Sequence, residues 1–281
     1  MTAAEYCQTD LWSMQGQTPV PCEILETDID LYWHIAFTIY EEIEAALQEK
    51  RNAVLIAPVG PVYQYRRFVQ LVRRRPLALS HVHLFFMDEY LADEKNWIPD
   101  SSPLSFRGFV QRELTAAMPP ETGFTSAQVY FPDPVDPGRY DSALAALGGP
   151  DLCIAGVGIT GHLAFNEPPE PGQSISIADF SNLPSRVIRL ARESVAINST
   201  TALCGAMEKV PPLAVTVGMK QILSAKKLRL YFNRPWQSSV VRRFLYGEIT
   251  SSFPVTIARR HHDVRVVMTK LVAEKPEFAL N

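Results

Sequence analysis

The sequence has 281 residues, of which 47% are hydrophobic, and this is enough to bury a large core. The 27 Lys and Arg residues against 30 Asp and Glu residues give a formal net charge of −3, which disfavours nucleic-acid binding. Because the sequence has no C-x-x-C pair, no secretion signal and no apolar run of about 18 residues, we expect free thiols, no zinc knuckle, no membrane association and a cytoplasmic chain.

Helix and strand patterns alternate in the first half of the chain. Residues 35–50 carry apolar side chains at helical spacing, and 52–58 is a continuous apolar run typical of a strand buried on both faces. Residues 61–75 predict a helix that begins at Pro61, and 81–88 predict a second buried strand. These segments indicate successive strand–helix units.

The second half continues the alternation. Strands are predicted over 151–157, 227–232 and 263–269, and helices over 212–225 and 236–247. The stretches 132–142 and 166–185 are rich in Pro, Gly and Ser, which is typical of binding loops or lids.

This alternation predicts an α/β fold with a doubly wound, mostly parallel sheet and helices on both faces, as in a Rossmann-like three-layer sandwich. We expect one domain over residues 1–281, with residues 1–30 peripheral to it.

Residues that directly follow the predicted strands are candidates for a site, because ligands of parallel sheets bind beyond the carboxyl ends of the strands. These residues are the segment 58–60, Asp88, Glu89, the segment 158–162 and Asn233. Since adjacent side chains of an extended chain point in opposite directions, only one of the two carboxylates faces the crevice. A simple turn cap is the alternative role for a carboxylate at this position.

The segment "GVGITG" at 156–161 fits the G-x-G-x-x-G pattern of dinucleotide-binding loops. Prolines 168, 169 and 171 exclude the long helix that this pattern requires. The alternative is that the glycines let a sugar lie close to the backbone while His162 and Glu167 carry protons. An ordinary hydrogen bond between these two side chains in a loop is the third interpretation.

Four segments together carry a resemblance to a known family: "MDEY" at 87–90, "GVG..GHLAFNEP" at 156–168, "AVTVG" at 214–218, and 254–261. Between residues 35 and 270 the chain resembles the glucosamine-6-phosphate deaminases and their relatives, the 6-phosphogluconolactonases. The "FNEP" segment favours the deaminase branch.

The resemblance implies a role for three side chains. Asp88 is the base that moves a proton between C2 and C1 of the opened sugar, His162 exchanges a proton with the ring oxygen, and Glu167 orients His162. It implies a small-molecule sugar substrate and no metal. We also expect no cofactor and a homo-oligomer. The positions that it assigns to substrate binding are Val59, Gly60, Glu89, Gly158, Thr160, Gly161, Asn166, Thr200 and Gln237.

The chain departs from the family at its predicted phosphate site and beside His162. Thr160 replaces a family Asp, Thr200 replaces a phosphate-binding Arg, and Gln237 lies near the position of a phosphate-binding Lys. The loop "PVGPVYQ" at 58–64 lacks the family's hydroxyl side chains. We therefore hypothesise an unphosphorylated substrate, or an anionic group bound by Arg234, Arg259 or Arg260.

Three functions are compatible with these residues. The first is ring opening, aldose–ketose isomerisation and deamination of an amino sugar. The second is a sugar-binding or regulatory protein that has lost turnover through Thr160. The third is a sugar lactonase, which needs His162 as a base but does not need Asp88.

Overall fold

The computed structural model of the protein describes residues 2–13 and 16–275. The strands are β1 (Cys22–Leu25), β2 (Ala53–Ala57), β3 (Val82–Phe86), β4 (Asp88–Asp93), β5 (Asn96–Trp97), β6 (Val129–Tyr130), β7 (Leu152–Gly156), β8 (Arg186–Arg189), β9 (Leu213–Thr216), β10 (Lys227–Phe232) and β11 (Val264–Thr269). The helices are α1 (Ala3–Cys7), α2 (Asp28–Gln48), α3 (Gln64–Arg74), α4 (Phe106–Val110), α5 (Pro137–Ala146), α6 (Ile177–Ser181), α7 (Arg192–Leu203), α8 (Met219–Leu223), α9 (Gln237–Tyr246) and α10 (Lys270–Ala273).

Seven strands form a parallel sheet in the order β1-β11-β10-β7-β2-β3-β6. The chain runs outward from β2 to β3 and β6 and then returns to β7, which pairs with the other side of β2. The direction of winding therefore reverses between β2 and β7. A crevice forms at such a reversal, beyond the carboxyl ends of the strands.

Alternate residues of each central strand enter two separate hydrophobic cores. In β2, Val54 and Ile56 pack with side chains of α5, α8 and α9, whereas Leu55 and Ala57 pack with α2 and α3. Burial on both faces explains why the central strands are continuous apolar runs. The predicted doubly wound α/β fold, with helices on both faces of a parallel sheet, is confirmed.

A second sheet, which the sequence patterns did not predict, has the order β5-β4-β9-β8 and is antiparallel. The predicted helix over 212–225 is wrong, because Leu213–Thr216 is strand β9 and only Met219–Leu223 is helical. Strand β9 lies between two partners that are distant in sequence, so its pairing overrides the local helical pattern. Asp88 also belongs to this sheet, as the first residue of β4.

Several predicted element boundaries also differ from the structure. Helix α2 begins at Asp28 rather than at residue 35, and the predicted loop 166–185 contains α6. Helix α3 begins at Gln64 rather than Pro61, since the residues after β2 form a loop. The predicted loop 132–142 contains the start of α5, where Asp136 caps the helix and Pro137 occupies its first turn. Proline is common both in loops and in first helical turns, so composition alone did not separate these cases.

The expectation that residues 1–30 are peripheral holds only in part. Strand β1 pairs with β11 at the edge of the parallel sheet, and Leu11 and Val20 are buried in the core. The single-domain assignment stays a prediction.

The buried side chain of Arg242 joins segments near both ends of the described chain. Its Nε donates a hydrogen bond to the Thr9 carbonyl (2.7 Å), and its Nη1 and Nη2 atoms donate to the carbonyls of Val272 (2.9 Å) and Ala273 (2.8 Å). Burial lowers the pKa of Arg242 to about 10, so the guanidinium is still charged at neutral pH. These carbonyls therefore compensate a buried cation.

Gly218 lies at a point where the chain leaves no space for a side chain. A Cβ atom there would lie 2.2 Å from the Leu183 carbonyl oxygen and 2.4 Å from the Pro184 carbonyl carbon. We expect Gly218→Ala to lower the free energy of unfolding by about 2 kcal/mol, since backbone must move to relieve the clash. Urea denaturation followed by circular dichroism measures this change.

The matched control is Gly138→Ala in α5, where the nearest atom to an added Cβ is Asp136 Oδ1 at 3.5 Å. This substitution should leave stability unchanged or raise it slightly, because Ala favours the helix. Equal stability of the two variants would contradict the close approach at Gly218.

Candidate active site

A cavity of about 440 Å³ lies at the carboxyl ends of β2, β3, β7 and β10. Its walls come from segments within 58–62, 87–90, 103–109, 156–165 and 231–237, and from α7. It is placed where the winding of the parallel sheet reverses, which is the expected ligand position for this architecture.

A larger groove, of about 570 Å³, lies beside α2 toward the amino ends of β7, β10 and β11. Its charged side chains are largely paired with each other, as in the Lys227–Glu42 contact of 2.7 Å and the Arg229–Asp263 contact of 3.0 Å. Because the chemically reactive side chains at the strand ends line the smaller cavity, we assign the candidate site there.

Asp88 is buried in the wall of the cavity, with 8% of its surface exposed. Burial, with the nearby charge of Glu89, raises the pKa of Asp88 to about 8. None of the described residues donates a hydrogen bond to its side chain, so its ionised form is not compensated within the protein. Such a carboxylate favours a cationic ligand or acts as a base with a high proton affinity.

Glu89 does not line the cavity, so its predicted substrate-binding role is not supported. Its carboxylate accepts hydrogen bonds from Ser105 Oγ (3.0 Å), Phe106 N (3.1 Å) and Arg107 N (2.8 Å) at the start of α4. Burial raises the pKa of Glu89, and these donors oppose the rise. Asp88 and Glu89 thus face opposite sides of β4, as the alternation of an extended chain predicts.

His162 and Glu167 form a close pair in the loop after β7. The Nδ1 atom of His162 lies 3.0 Å from Glu167 Oε2, and both side chains are about nine-tenths buried. Because a carboxylate only accepts hydrogen bonds, Nδ1 is the donor and Nε2 is left for the cavity. Burial opposes ionisation of Glu167, but the charge of His162 and hydrogen bonds from neighbouring side chains outweigh it and lower the pKa of Glu167 to about 2.

Two hydroxyl groups also contact this pair. Thr160 Oγ1 donates to Glu167 Oε2 (2.7 Å) and lies 2.9 Å from His162 Nδ1. Ser194 Oγ, from α7, lies 3.3 Å from the same nitrogen. Thr160 thus contacts both members of the pair without adding a negative charge.

Gly158 allows the imidazole ring to lie against the backbone. A Cβ atom at this position would lie 2.0 Å from His162 Nε2, so any side chain would displace the ring. Gly161 has a positive φ of 79°, and a Cβ there would lie 2.7 Å from the Phe253 ring. Gly158 therefore makes room for His162, and Gly161 allows a tight turn.

The structure brings part of the predicted site together. Six of the catalytic and substrate-binding positions that the resemblance implies line the same cavity: Val59, Gly60, Asp88, Gly158, His162 and Gln237. Asn233, predicted as a residue at a strand end, lines it too. Glu167 and Thr160 do not line it but contact His162.

Asn166 and Thr200 do not line the cavity, so the structure does not support their predicted contact with a substrate. Asn166 donates to the Leu163 and Val217 carbonyls (2.9 and 2.8 Å) and joins the loop to the second sheet. Thr200 is exposed and donates to the carbonyl of Ala196, one helical turn earlier. The cavity-facing residues of α7 are instead its neighbours at 198, 201 and 202.

The three arginines considered as ligands of an anionic group differ in their position relative to the cavity. Arg234 lines the cavity. Arg259 donates to the Leu245 and Gly247 carbonyls (2.8 and 2.5 Å) and so has a structural role. Arg260 is exposed and does not line the cavity.

Several residues of the site were missed by sequence reasoning. Ser194 reaches His162, and Asn198 donates to the hydroxyl of Tyr90 (2.9 Å), only because α7 folds back over the cavity. Nothing in the local sequence indicates that Ser194 contacts His162. Asn198 lies two residues before Thr200, a position that the family resemblance singled out, and this was a signal that could have found it.

Among the described residues, no group of three or more His, Cys, Asp and Glu side chains is placed to hold a metal ion. The described residues also include no helix with the length and apolar character needed to span a membrane.

Comparison with known proteins gives relatives that match most of the chain. The proteins named glucosamine-6-phosphate deaminase from Mycoplasma mycoides and Clostridium beijerinckii are 26% and 27% identical, over 83% and 85% of this chain and 89% and 93% of their own lengths. The protein of the same name from Hahella chejuensis is 28% identical over 85% of this chain and 86% of its own length. No protein-family model matches the chain.

Solved structures show the same fold. A monomeric glucosamine-6-phosphate deaminase has a TM-score of 0.75 at 21% identity, covering 91% of this chain and 99% of its own. A 6-phosphogluconolactonase from Thermotoga maritima has a TM-score of 0.61 at 17% identity, covering 88% of this chain and 98% of its own. The resemblance predicted from the sequence segments is therefore confirmed across most of the chain.

The burial of Asp88 predicts a pH-dependent loss of stability. Its pKa is about 8 in the folded chain, whereas the pKa of an unfolded aspartate is about 3.9. Between these pH values the folded state binds more protons, so stability falls as the pH rises. We expect Asp88→Asn to raise the melting temperature above that of the wild type by an amount that grows from pH 4 to pH 8 and then levels off.

Differential scanning fluorimetry across this pH range measures the effect. Glu94→Gln is the matched control, since Glu94 is an exposed carboxylate near the other end of β4. A gap between wild type and Asp88→Asn that does not change with pH would contradict the raised pKa of Asp88.

Proposed function

We propose that the protein is an enzyme that opens the ring of an amino sugar, moves a proton between C2 and C1, and releases ammonia. The observation that carries this proposal is that Asp88 and His162, from two different strand ends, line one cavity. Relatives of this chain named glucosamine-6-phosphate deaminase support it.

The properties of Asp88 suit an amino sugar. A protonated amine next to the buried carboxylate compensates its charge and lowers its pKa, so the ligand itself ionises the base. The carboxylate then takes the proton from C2 while a proton passes from the ammonium group to the carbonyl oxygen at C1. The carboxyl group returns the first proton to C1, which converts the aldose into a protonated 2-imine. Water adds to the imine carbon, and the C–N bond breaks to give a ketose and ammonia.

His162 has the position for ring opening. Its Nδ1–H is held by Glu167, and its Nε2 is available to exchange a proton with the ring oxygen of the sugar. The hydroxyl of Thr160 fixes the pair through two contacts, which takes over the orienting role of a carboxylate at this position.

The substrate is unphosphorylated, or its anionic group is bound by other residues than those that the family resemblance implies. Thr200 is exposed outside the cavity, and Gln237 uses its amide to hold backbone groups. The loop within 58–62 carries two prolines and no hydroxyl side chain. A cytoplasmic location and a homo-oligomer stay predictions, and a solved deaminase of the same fold is monomeric.

A panel of free and phosphorylated amino sugars, assayed for ammonia and ketose, tests the proposed function. We expect turnover of at least one sugar with exchange of its C2 proton in heavy water. The value of kcat/KM should rise with pH up to about 8, because Asp88 must be ionised in the free enzyme. Asp88→Asn should abolish both the turnover and the exchange of the C2 proton while the protein stays folded.

Two other outcomes would point to the alternative functions. Stabilisation by an amino sugar without C2 exchange, ketose or ammonia would indicate a binding protein. Hydrolysis of a sugar lactone that survives Asp88→Asn but is lost in His162→Asn would indicate a lactonase, which is the activity named for several solved proteins of this fold.

The contacts of Thr160 predict a positioning role. Thr160→Val removes the hydroxyl that touches both His162 and Glu167, so we expect kcat to fall about tenfold with little change in KM. Thr160→Ser keeps the hydroxyl and should restore most of the rate. Equal rates for the Val and Ser variants would contradict this role.

A further inference from the structure

The turn after β10 presents three polar side chains in the wall of the cavity: Asn233, Arg234 and Trp236. The amide Nδ2 of Asn233 and the indole Nε1 of Trp236 are buried and have no hydrogen-bond partner among the described residues. The guanidinium of Arg234 makes no hydrogen bond or ion pair with any side chain or carbonyl group of the described residues. A buried donor without an acceptor is unfavourable, and these two donors lie at the same turn as an unpaired guanidinium, which is free to bind an anionic group in the cavity.

Gln237 holds this turn rigid. Its Oε1 accepts hydrogen bonds from the backbone N–H groups of Asn233 (2.8 Å) and Arg234 (2.9 Å), and its Nε2 donates to the Val157 carbonyl (2.8 Å). The side chain thereby links the ends of β7 and β10. The free donors are thus carried on a backbone that is already fixed before a ligand binds.

The positive charge available in the cavity determines which kind of anion these donors can bind. Among the described residues that line it, Arg234 is the only Lys or Arg. The facing loop offers Val59, Pro61 and Val62, which supply neither charge nor side-chain donors. A dianionic phosphate would leave one negative charge uncompensated against apolar walls, whereas a singly charged planar carboxylate matches one guanidinium.

We propose that Arg234, with Asn233 and Trp236, binds a carboxylate of the substrate, so that the substrate class is amino sugars that carry an acid group, such as 2-amino-2-deoxyhexuronic acids. This inference rests on the proposed function, because it names the substrate class of the same site. Asp88 then faces the ammonium group and Arg234 faces the carboxylate of one zwitterionic sugar. The two charged side chains of the cavity wall are both compensated in that complex.

Kinetics with three sugars test the proposal: glucosamine, glucosamine 6-phosphate and 2-amino-2-deoxyglucuronic acid. We expect the acid sugar to have the highest kcat/KM in the wild type. Arg234→Met should raise KM for the acid sugar at least thirtyfold and change KM for glucosamine less than threefold. Arg234→Lys keeps the charge but loses the paired donors, so it should fall between the wild type and Arg234→Met.

The matched control is Arg260→Met, which removes the same charge from an exposed position outside the cavity and should change none of these constants. Trp236→Phe keeps an aromatic ring but removes the indole N–H, and we expect a severalfold higher KM for the acid sugar only. A preference for glucosamine 6-phosphate or for glucosamine that Arg234→Met does not alter would overturn the inference.

Failure of the proposed function is distinguishable from failure of this inference. If no sugar is turned over, calorimetric binding of the same three sugars to wild type and to Arg234→Met decides the inference. Binding of the acid sugar that is lost in Arg234→Met supports it. Binding that is equal in both proteins, or no binding of the acid sugar, overturns it.

Discussion

The opposite surroundings of two adjacent carboxyl groups, Asp88 and Glu89, determine how this site is built. Glu89 is saturated by hydroxyl and backbone N–H donors at the start of α4, and this fixes the orientation of β4. Because side chains alternate along the strand, Asp88 is then held in the cavity wall without a donor of its own. The hydrogen-bonded carboxyl group of Glu89 thus positions the carboxyl group of Asp88, which has no donor. A carboxylate without donors has the high proton affinity that a base needs.

Much of the parallel sheet could be predicted from sequence because burial on both faces leaves continuous apolar runs, as in Ala53–Ala57 and Leu152–Gly156. The antiparallel sheet could not. Its strand Leu213–Thr216 pairs with segments far away in sequence, and the following residues have a helical pattern that masks it. A run of four residues carries too little periodicity to separate these alternatives.

The same distinction applies to the candidate site. Asp88 and His162 could be anticipated because each follows a predicted parallel strand, and such strand ends meet at one edge of a sheet. Ser194 reaches the imidazole through the placement of α7, which depends on tertiary contacts. Asn166 and Gln237 have polar side chains at the expected places, but the structure uses them for backbone carbonyls and N–H groups. Residue type alone did not distinguish side chains that hold the backbone from side chains that contact a ligand.

Arg242 also has a consequence for how much of the chain can be removed. Its guanidinium is bound by carbonyl groups before β1 and after β11, so the two terminal segments share one buried charge. Trimming either segment would leave that cation beside fewer acceptors, in a place that water does not reach. Tags and fusions are therefore best attached beyond both segments, since neither segment is dispensable on its own.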